Sequence, residues 1–165
     1  MSNQTILEKN AMSWRTLAQW LVIGALLVAI LGIFFDRSIP VWYDSLRKPA
    51  FDPPQWLSAA IWALLYVCMA AAVWLVWQAP QTRLRSRALK LFSIQFMLCL
   101  LWTMDFFYFH IVGPALFVIV LFWVALLLTT VRFWQLRRAT IYLMAPCLAW
   151  VTFASALNLE IALLN

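Results

Sequence analysis

Apolar residues run almost unbroken through five stretches of the 165-residue chain, and polar residues gather in the short segments between them. The stretches cover about 16–35, 56–79, 88–110, 112–131 and 139–159. Each is close to the ~20 residues an α-helix needs to cross a bilayer. Asp36-Arg37 closes the first, Pro53-Pro54 opens the second and Pro80 closes it. Asp105 interrupts the third near its end. Gly113-Pro114 starts the fourth, where proline suits a first helical turn. The fifth ends near Glu160, and Pro146 inside it predicts a kink. A lipid-facing barrel would alternate apolar and polar residues, whereas 116–128 is continuously apolar apart from its surroundings. In lipid each backbone group must pair within its own segment or a closed barrel. The pattern therefore predicts an all-α membrane protein, a bundle of five transmembrane helices over 16–165, after an N-terminal extension over 1–15.

Composition agrees: 66% of the residues are hydrophobic and 11% charged, against roughly 45–50% and about 25% in soluble domains. A chain this short cannot hide that much apolar surface in its own core. The net charge of +6 belongs to short loops between spans, which reads as a topology signal and not as a nucleic-acid surface. One side carries Lys9, Arg15, Arg83, Arg85, Arg87, Lys90, Arg132, Arg137 and Arg138. The other carries Arg37, Arg47 and Lys48, offset by Asp36, Asp44 and Asp52. The positive-inside rule then predicts a cytoplasmic N-terminus and an outside C-terminus, in a bacterial membrane. The first apolar stretch is too long for a signal-peptide core and lacks an Ala-x-Ala site, so it reads as retained.

Ordinary enzyme chemistry finds no foothold. A single histidine, His110, excludes bis-His haem ligation within one chain, and no cluster has metal-ligand spacing. Three glycines cannot build a P-loop or a dinucleotide turn. Cys68, Cys99 and Cys147 all fall in apolar runs and read as small buried hydrophobes, not a disulfide framework. Tryptophan stands out, at eleven residues. Trp56, Trp77 and Trp134 lie near span ends, where the indole favours the membrane interface. Trp62, Trp102, Trp123 and Trp150 lie deeper, as packing or as walls of a flat apolar pocket. Asp105 is expected to reach water, to pair with Arg47 or Lys48, or to face such a pocket. Gln95 and Asn158 are expected to hydrogen-bond between helices. The one long loop, 36–55, has the length of a lid or binding element.

Trp42-Tyr43-Asp44-Ser45-Leu46-Arg47-Lys48-Pro49, then Pro53-Pro54, Trp62 and Tyr66, resembles the first-loop and second-helix signature of the TspO/MBR family, the tryptophan-rich sensory and translocator proteins. Gln95, Trp102-Thr103 and Phe106-Phe107 continue the resemblance, as do Pro146, Trp150, Phe153-Ala154 and Leu157-Asn158. It covers 42–165 in order, and the first span fits by position. The resemblance implies a five-helix bundle, usually a homodimer, that binds porphyrins such as protoporphyrin IX, haem and other flat hydrophobic ligands between its helices, with no obligatory cofactor and no metal. It implies that Trp62, Trp150 and Ala154 line the pocket, with Trp42, Tyr43, Pro49, Tyr66, Gln95, Cys99, Trp102, Phe106, Cys147 and Asn158 as further ligand-binding candidates. Some bacterial members promote light-dependent breakdown of protoporphyrin IX, which makes Trp62 and Trp150 the candidates for any photo-oxidative step.

Four departures qualify the resemblance. Cys99 stands where the family usually has Asn, Cys147 where it has Tyr, and Met104-Asp105 where a Pro follows the Trp-Thr pair. Leu159 replaces the Tyr of the sterol-recognition pattern and no basic residue follows Glu160, which argues against high-affinity sterol binding. Cys99 and Cys147 read as small apolar replacements, or as a thiol pair tuning a redox-active ligand. The functional expectation is a porphyrin-binding sensor or receptor regulating tetrapyrrole metabolism or transport. The alternatives are a transporter, disfavoured by the small bundle without inverted repeats, a porphyrin-degrading protein, and a structural subunit.

Overall fold

The computed structural model describes residues 39–165. The first predicted span, 16–35, and the extension before it lie outside the described residues. Within them the chain is helical: α1 (Ile39–Ser45), α2 (Gln55–Trp77), α3 (Arg83–Thr103), a π-helical turn (Met104–Tyr108), α4 (Val112–Leu136) and α5 (Thr140–Leu164). α2, α3 with its π turn, α4 and α5 are long and apolar enough to cross a membrane. The protein is an integral, multi-pass membrane protein. The predicted 36–55 loop holds the short helix α1, which no long apolar run announces.

The helices outrun several sequence-based boundaries. α3 starts at Arg83, not near 88, because Thr82 caps it: its Oγ1 accepts from the Arg85 amide at 3.2 Å. Arginines suit this turn since their stems lie along apolar surface while the heads reach water. Arg85 shows it, donating to the Ala79 carbonyl at 3.0 Å and lying 5.0 Å over the Trp77 ring. α4 runs on past 131 to Leu136, and α5 continues through Pro146 and past Glu160 to Leu164.

α4 packs between α3 and α5, and α5 also packs on α2. The packing register is heptad-like. The buried positions of α5 are Thr140, Met144, Cys147, Val151, Ala154, Asn158 and Ile161, spaced alternately by four and three. α3 buries Ala88, Gln95, Cys99 and Trp102 in the same rhythm, and Phe106 of the π turn extends it. Ala72, Ala88 and Ala115 have no exposed surface, the small side chains that let helices approach closely in lipid. The opposite faces are just as greasy: Ile94, Met97, Phe117, Val124 and Leu128 are exposed. A contiguous apolar exterior of this kind marks a lipid-facing surface.

Polar groups inside the helices are handled locally. Thr129 and Thr130 return their hydroxyls to the Ala125 and Leu126 carbonyls at 2.7 Å each. Trp123 Nε1 donates to Thr152 Oγ1 at 2.7 Å and ties α4 to α5. Gln95 Nε2 reaches Met69 Sδ at 3.4 Å, the helix-to-helix contact expected of it. Asn158, given the same expectation, makes no such bond among the described residues, where both its amide atoms lack a partner.

Candidate functional site

The segment from α1 to the start of α2 lies over one end of the bundle and is fastened at several points. Tyr43 on α1 donates its hydroxyl to Asp52 Oδ1 at 2.7 Å. Burial, and then the Asp52 carboxylate, push the Tyr43 phenol well above its ordinary pKa, so it stays a donor. Lys48 Nζ sits 4.5 Å from the Tyr43 ring centre and pairs with Asp44 at 2.8 Å and Asp52 at 3.9 Å. Trp42 stacks on His110, ring centres 4.2 Å apart. His110 has a φ of 59°, a left-handed conformation that lets the chain leave the π turn and enter α4. At the end of α5, Asn165 grips the Arg47 backbone from both sides, accepting from its N–H and donating to its C=O at 3.0 Å each.

Under this cover lies a void of about 570 Å³, counting its open mouth. Three elements supply most of the wall. α2 contributes Ser58 and Trp62, one turn apart. α3 and the π turn contribute Trp102, Phe106 and Phe107. α5 contributes Trp150, Phe153, Ala154, Leu157 and Asn158, the i, i+3, i+4, i+7, i+8 face of one helix. Tyr43, Pro53 and Gln55 close the top. The π turn has a clear geometric role. An ordinary α-helix would swing Phe107 further from Trp102, whereas the wider turn sets Phe106 and Phe107 both against it, at 5.9 and 5.8 Å. Trp62 joins Trp102 at 5.7 Å, and Trp150 joins Phe153 at 5.2 Å. Two aromatic pairs, Trp62 with Trp102 and Trp150 with Phe153, thus line the same void.

Polar chemistry in this wall is sparse. Trp102 Nε1, Trp150 Nε1 and both amide atoms of Asn158 are buried without a hydrogen-bond partner among the described residues. Native proteins leave few such groups.

Seven of the candidates named from the sequence line the void: Tyr43, Trp62, Trp102, Phe106, Trp150, Ala154 and Asn158. Six do not. Trp42 packs edge-on behind Phe106 at 5.6 Å. Pro49 forms the turn that accepts from the Asp52 amide at 3.1 Å. Gln95, as above, meets Met69 below the void. Tyr66 Oη and Cys99 Sγ lie 3.6 Å apart between α2 and α3. Cys147 bonds the Leu143 carbonyl at 3.3 Å and lies 3.8 Å from that of Leu65. Both thiols are free and each has its own partner, so the two are not linked. Asp105 forms no ion pair with Arg47 or Lys48 among the described residues: Lys48 is taken by Asp44 and Asp52, each a helical turn away in sequence. Phe107, Phe153 and Leu157, which carry the family resemblance, line the void as well. Ser58 and Gln55 also line it, and the one sequence signal for either is that Ser58 precedes Trp62 by one turn.

The family model for the TspO/MBR family matches residues 20–164. The chain belongs to the TspO/MBR family. It is 34% identical over 145 residues to the tryptophan-rich protein TspO of Archaeoglobus fulgidus, covering 87% of this chain and 94% of that protein. It is 35% identical over 125 residues to the protein CrtK of Rhodobacter capsulatus, covering 75% and 78%. The human translocator protein shares 34% identity over 119 residues, covering 71% of this chain and 70% of its own. The void under the α1 segment is lined mostly by aromatic and apolar side chains, with few polar ones among the described residues.

Proposed function

We propose that this TspO/MBR protein is a membrane sensor or receptor that binds flat hydrophobic ligands, porphyrins foremost, in the void between Trp62, Trp102 and Trp150. The observation that carries the proposal is the two aromatic pairs lining one void beneath a fastened cover. Planar rings stack on indole and phenyl faces with little need for polar contact. The few donors orient the ligand instead of holding it by charge. In this reading 16–35 supplies a fifth membrane helix, the basic end faces the cytoplasm of a bacterium, and the protein works as a homodimer. Titrating protoporphyrin IX into purified protein is expected to quench tryptophan fluorescence saturably beyond an inner-filter control. Trp62→Phe and Trp150→Phe are each expected to weaken the response. A linear, non-saturable decrease in the wild type would overturn the proposal.

A second reading is favoured by one further observation: Trp62 and Trp150, both redox-active indoles, face the same void. A bound porphyrin would be a photosensitiser beside two oxidisable side chains. Loss of porphyrin absorbance under light and air, abolished by Trp62→Phe, would support breakdown over sensing.

A further inference from the structure

The outward side of α3 carries two chemistries on one line. Arg83, Arg87, Lys90, Ile94, Met97 and Leu101 follow one another at alternate spacings of four and three residues, so they share one stripe of the helix. All of them are exposed. The first three are cations and the last three are apolar. From Lys90 to Leu101 the stripe rises about 16 Å along the helix axis, close to the ~15 Å depth of one leaflet's hydrocarbon. Trp77 and Trp134 are exposed at the cationic end, where indoles mark the headgroup level.

The cations sit against two electrostatic preferences. Like charges three and four residues apart on a helix repel one another. Arg83 also stands in the first turn of α3, where the helix dipole favours negative charge and no acidic residue is present. The end of α4 adds to the same field. Phe92 of α3 stacks on Phe133 of α4, ring centres 5.8 Å apart, and this brings the exposed Arg132, Arg137 and Arg138 to the same end of the bundle. The chain has six acidic residues to set against them. Asp44, Asp52, Asp105 and Glu160 belong to the opposite end, on α1, the loop after it, the π turn and the end of α5. Both ion pairs among the described residues are at that end too. Glu8, the one acid that the sequence assigns to the basic side, is outnumbered there by Lys9 and Arg15. An anion from outside the chain would relieve the repulsion, and the apolar half of the stripe says what carries it. A molecule with a phosphate at one end and a leaflet's depth of hydrocarbon behind it matches both halves.

We propose that the outward stripe of α3 is a binding site for an anionic phospholipid, its phosphate against Arg83, Arg87 and Lys90 and its acyl chains along Ile94, Met97 and Leu101. The site is separate from the void and does not depend on what the void binds. A second copy of the chain fits the stripe less well, because a two-fold contact there would set these cations against their own copies. Full-length protein, stripped of lipid in neutral detergent, is offered equal amounts of dioleoyl phosphatidylglycerol and dioleoyl phosphatidylcholine, and native mass spectrometry counts the bound molecules of each. Wild type is expected to favour the phosphatidylglycerol about tenfold, since each basic residue at an anionic surface contributes several-fold. Arg83→Gln, Arg87→Gln and Lys90→Gln combined should bring the preference within about twofold of unity. The charge-matched triple Arg132→Gln, Arg137→Gln and Arg138→Gln should keep most of it. Melting curves show that both triples fold. Excess glycerol phosphate, which has the headgroup chemistry without the chains, should leave the lipid in place. Equal binding of the two lipids by wild type, or equal loss in both triples, overturns the site. Displacement by glycerol phosphate or by a short DNA duplex would assign the cations to a soluble anion and overturn it as well. So would a Met97→Cys variant that cross-links two copies in nanodiscs where wild type does not.

Discussion

Ala154→Trp is expected to abolish porphyrin binding, with affinity falling at least about 100-fold, or about 2.7 kcal/mol, while the protein still folds. Ala154 is 7% exposed and stands in the wall of the void between Trp150 and Asn158. An indole there projects into space the ligand needs. Overpacking in a filled core costs roughly 1–3 kcal/mol, but here the added ring meets the open-mouthed void and not a filled core. Stability should therefore change little while binding is lost. The neighbouring Ala156 is exposed on the outer face of the same helix. Ala156→Trp is expected to leave the affinity as it was. The check is a protoporphyrin titration of the two variants beside their melting curves, and binding by Ala154→Trp within about threefold of wild type would contradict the assignment of the site.

Phe122→Ala is expected to destabilise the bundle by about 2–3 kcal/mol, whereas Phe117→Ala should fall within about 0.5 kcal/mol of wild type. Both residues sit in α4, five positions apart, but Phe122 is 1% exposed and Phe117 68%. In a membrane the exposed phenylalanine touches lipid chains as apolar as itself, so its truncation removes no hydrophobic driving force. At Phe122 the loss is of another kind. α4 lies between α3 and α5, and removing the ring leaves roughly 100 Å³ that neighbouring helices cannot fill, at ~24 cal/mol per Å³. Denaturation in mixed detergent micelles reads both values. Equal effects at the two positions would mean that α4 is not the sandwiched helix.

The same pair of residues shows where the sequence was legible and where it was not. Length and greasiness located the second to fifth spans, because a bilayer imposes ~20 apolar residues on any helix that crosses it. Which face of each helix turns inward was hidden, because lipid-facing and protein-facing sides are both apolar. In α5 the inward seam from Thr140 to Ile161 follows a regular four-three spacing, yet Leu159 and Leu163 on the outside are as hydrophobic as anything within. In water the outward residues would have been polar and the seam would have shown. Helix ends were missed where charged residues sit on membrane helices, as at Arg83 and Arg132, because a hydropathy reading treats arginine as a stop and overlooks its apolar stem. The helix α1 is too short to carry a periodic signal.

The site was partly legible for a different reason. Trp62, Trp102 and Trp150 stood out as deep indoles in separate spans, and the family resemblance tied them together. The wall that Trp102 shares with Phe106 and Phe107 depends on the π turn at Met104–Tyr108, which sequence periodicity does not encode. The pairing of Asp105 with a loop cation failed because Lys48 has two nearer carboxylates, Asp44 and Asp52. Asn158 looked like glue between helices, whereas it lines the void and its amide has no partner among the described residues.

A structure of the protein with protoporphyrin IX bound tests the central claim most directly. The macrocycle is predicted to lie between the Trp62–Trp102 wall and the Trp150–Phe153 wall, beneath Tyr43. A macrocycle seated on the lipid-facing surface of α4, or anywhere that leaves this void empty, would contradict the account.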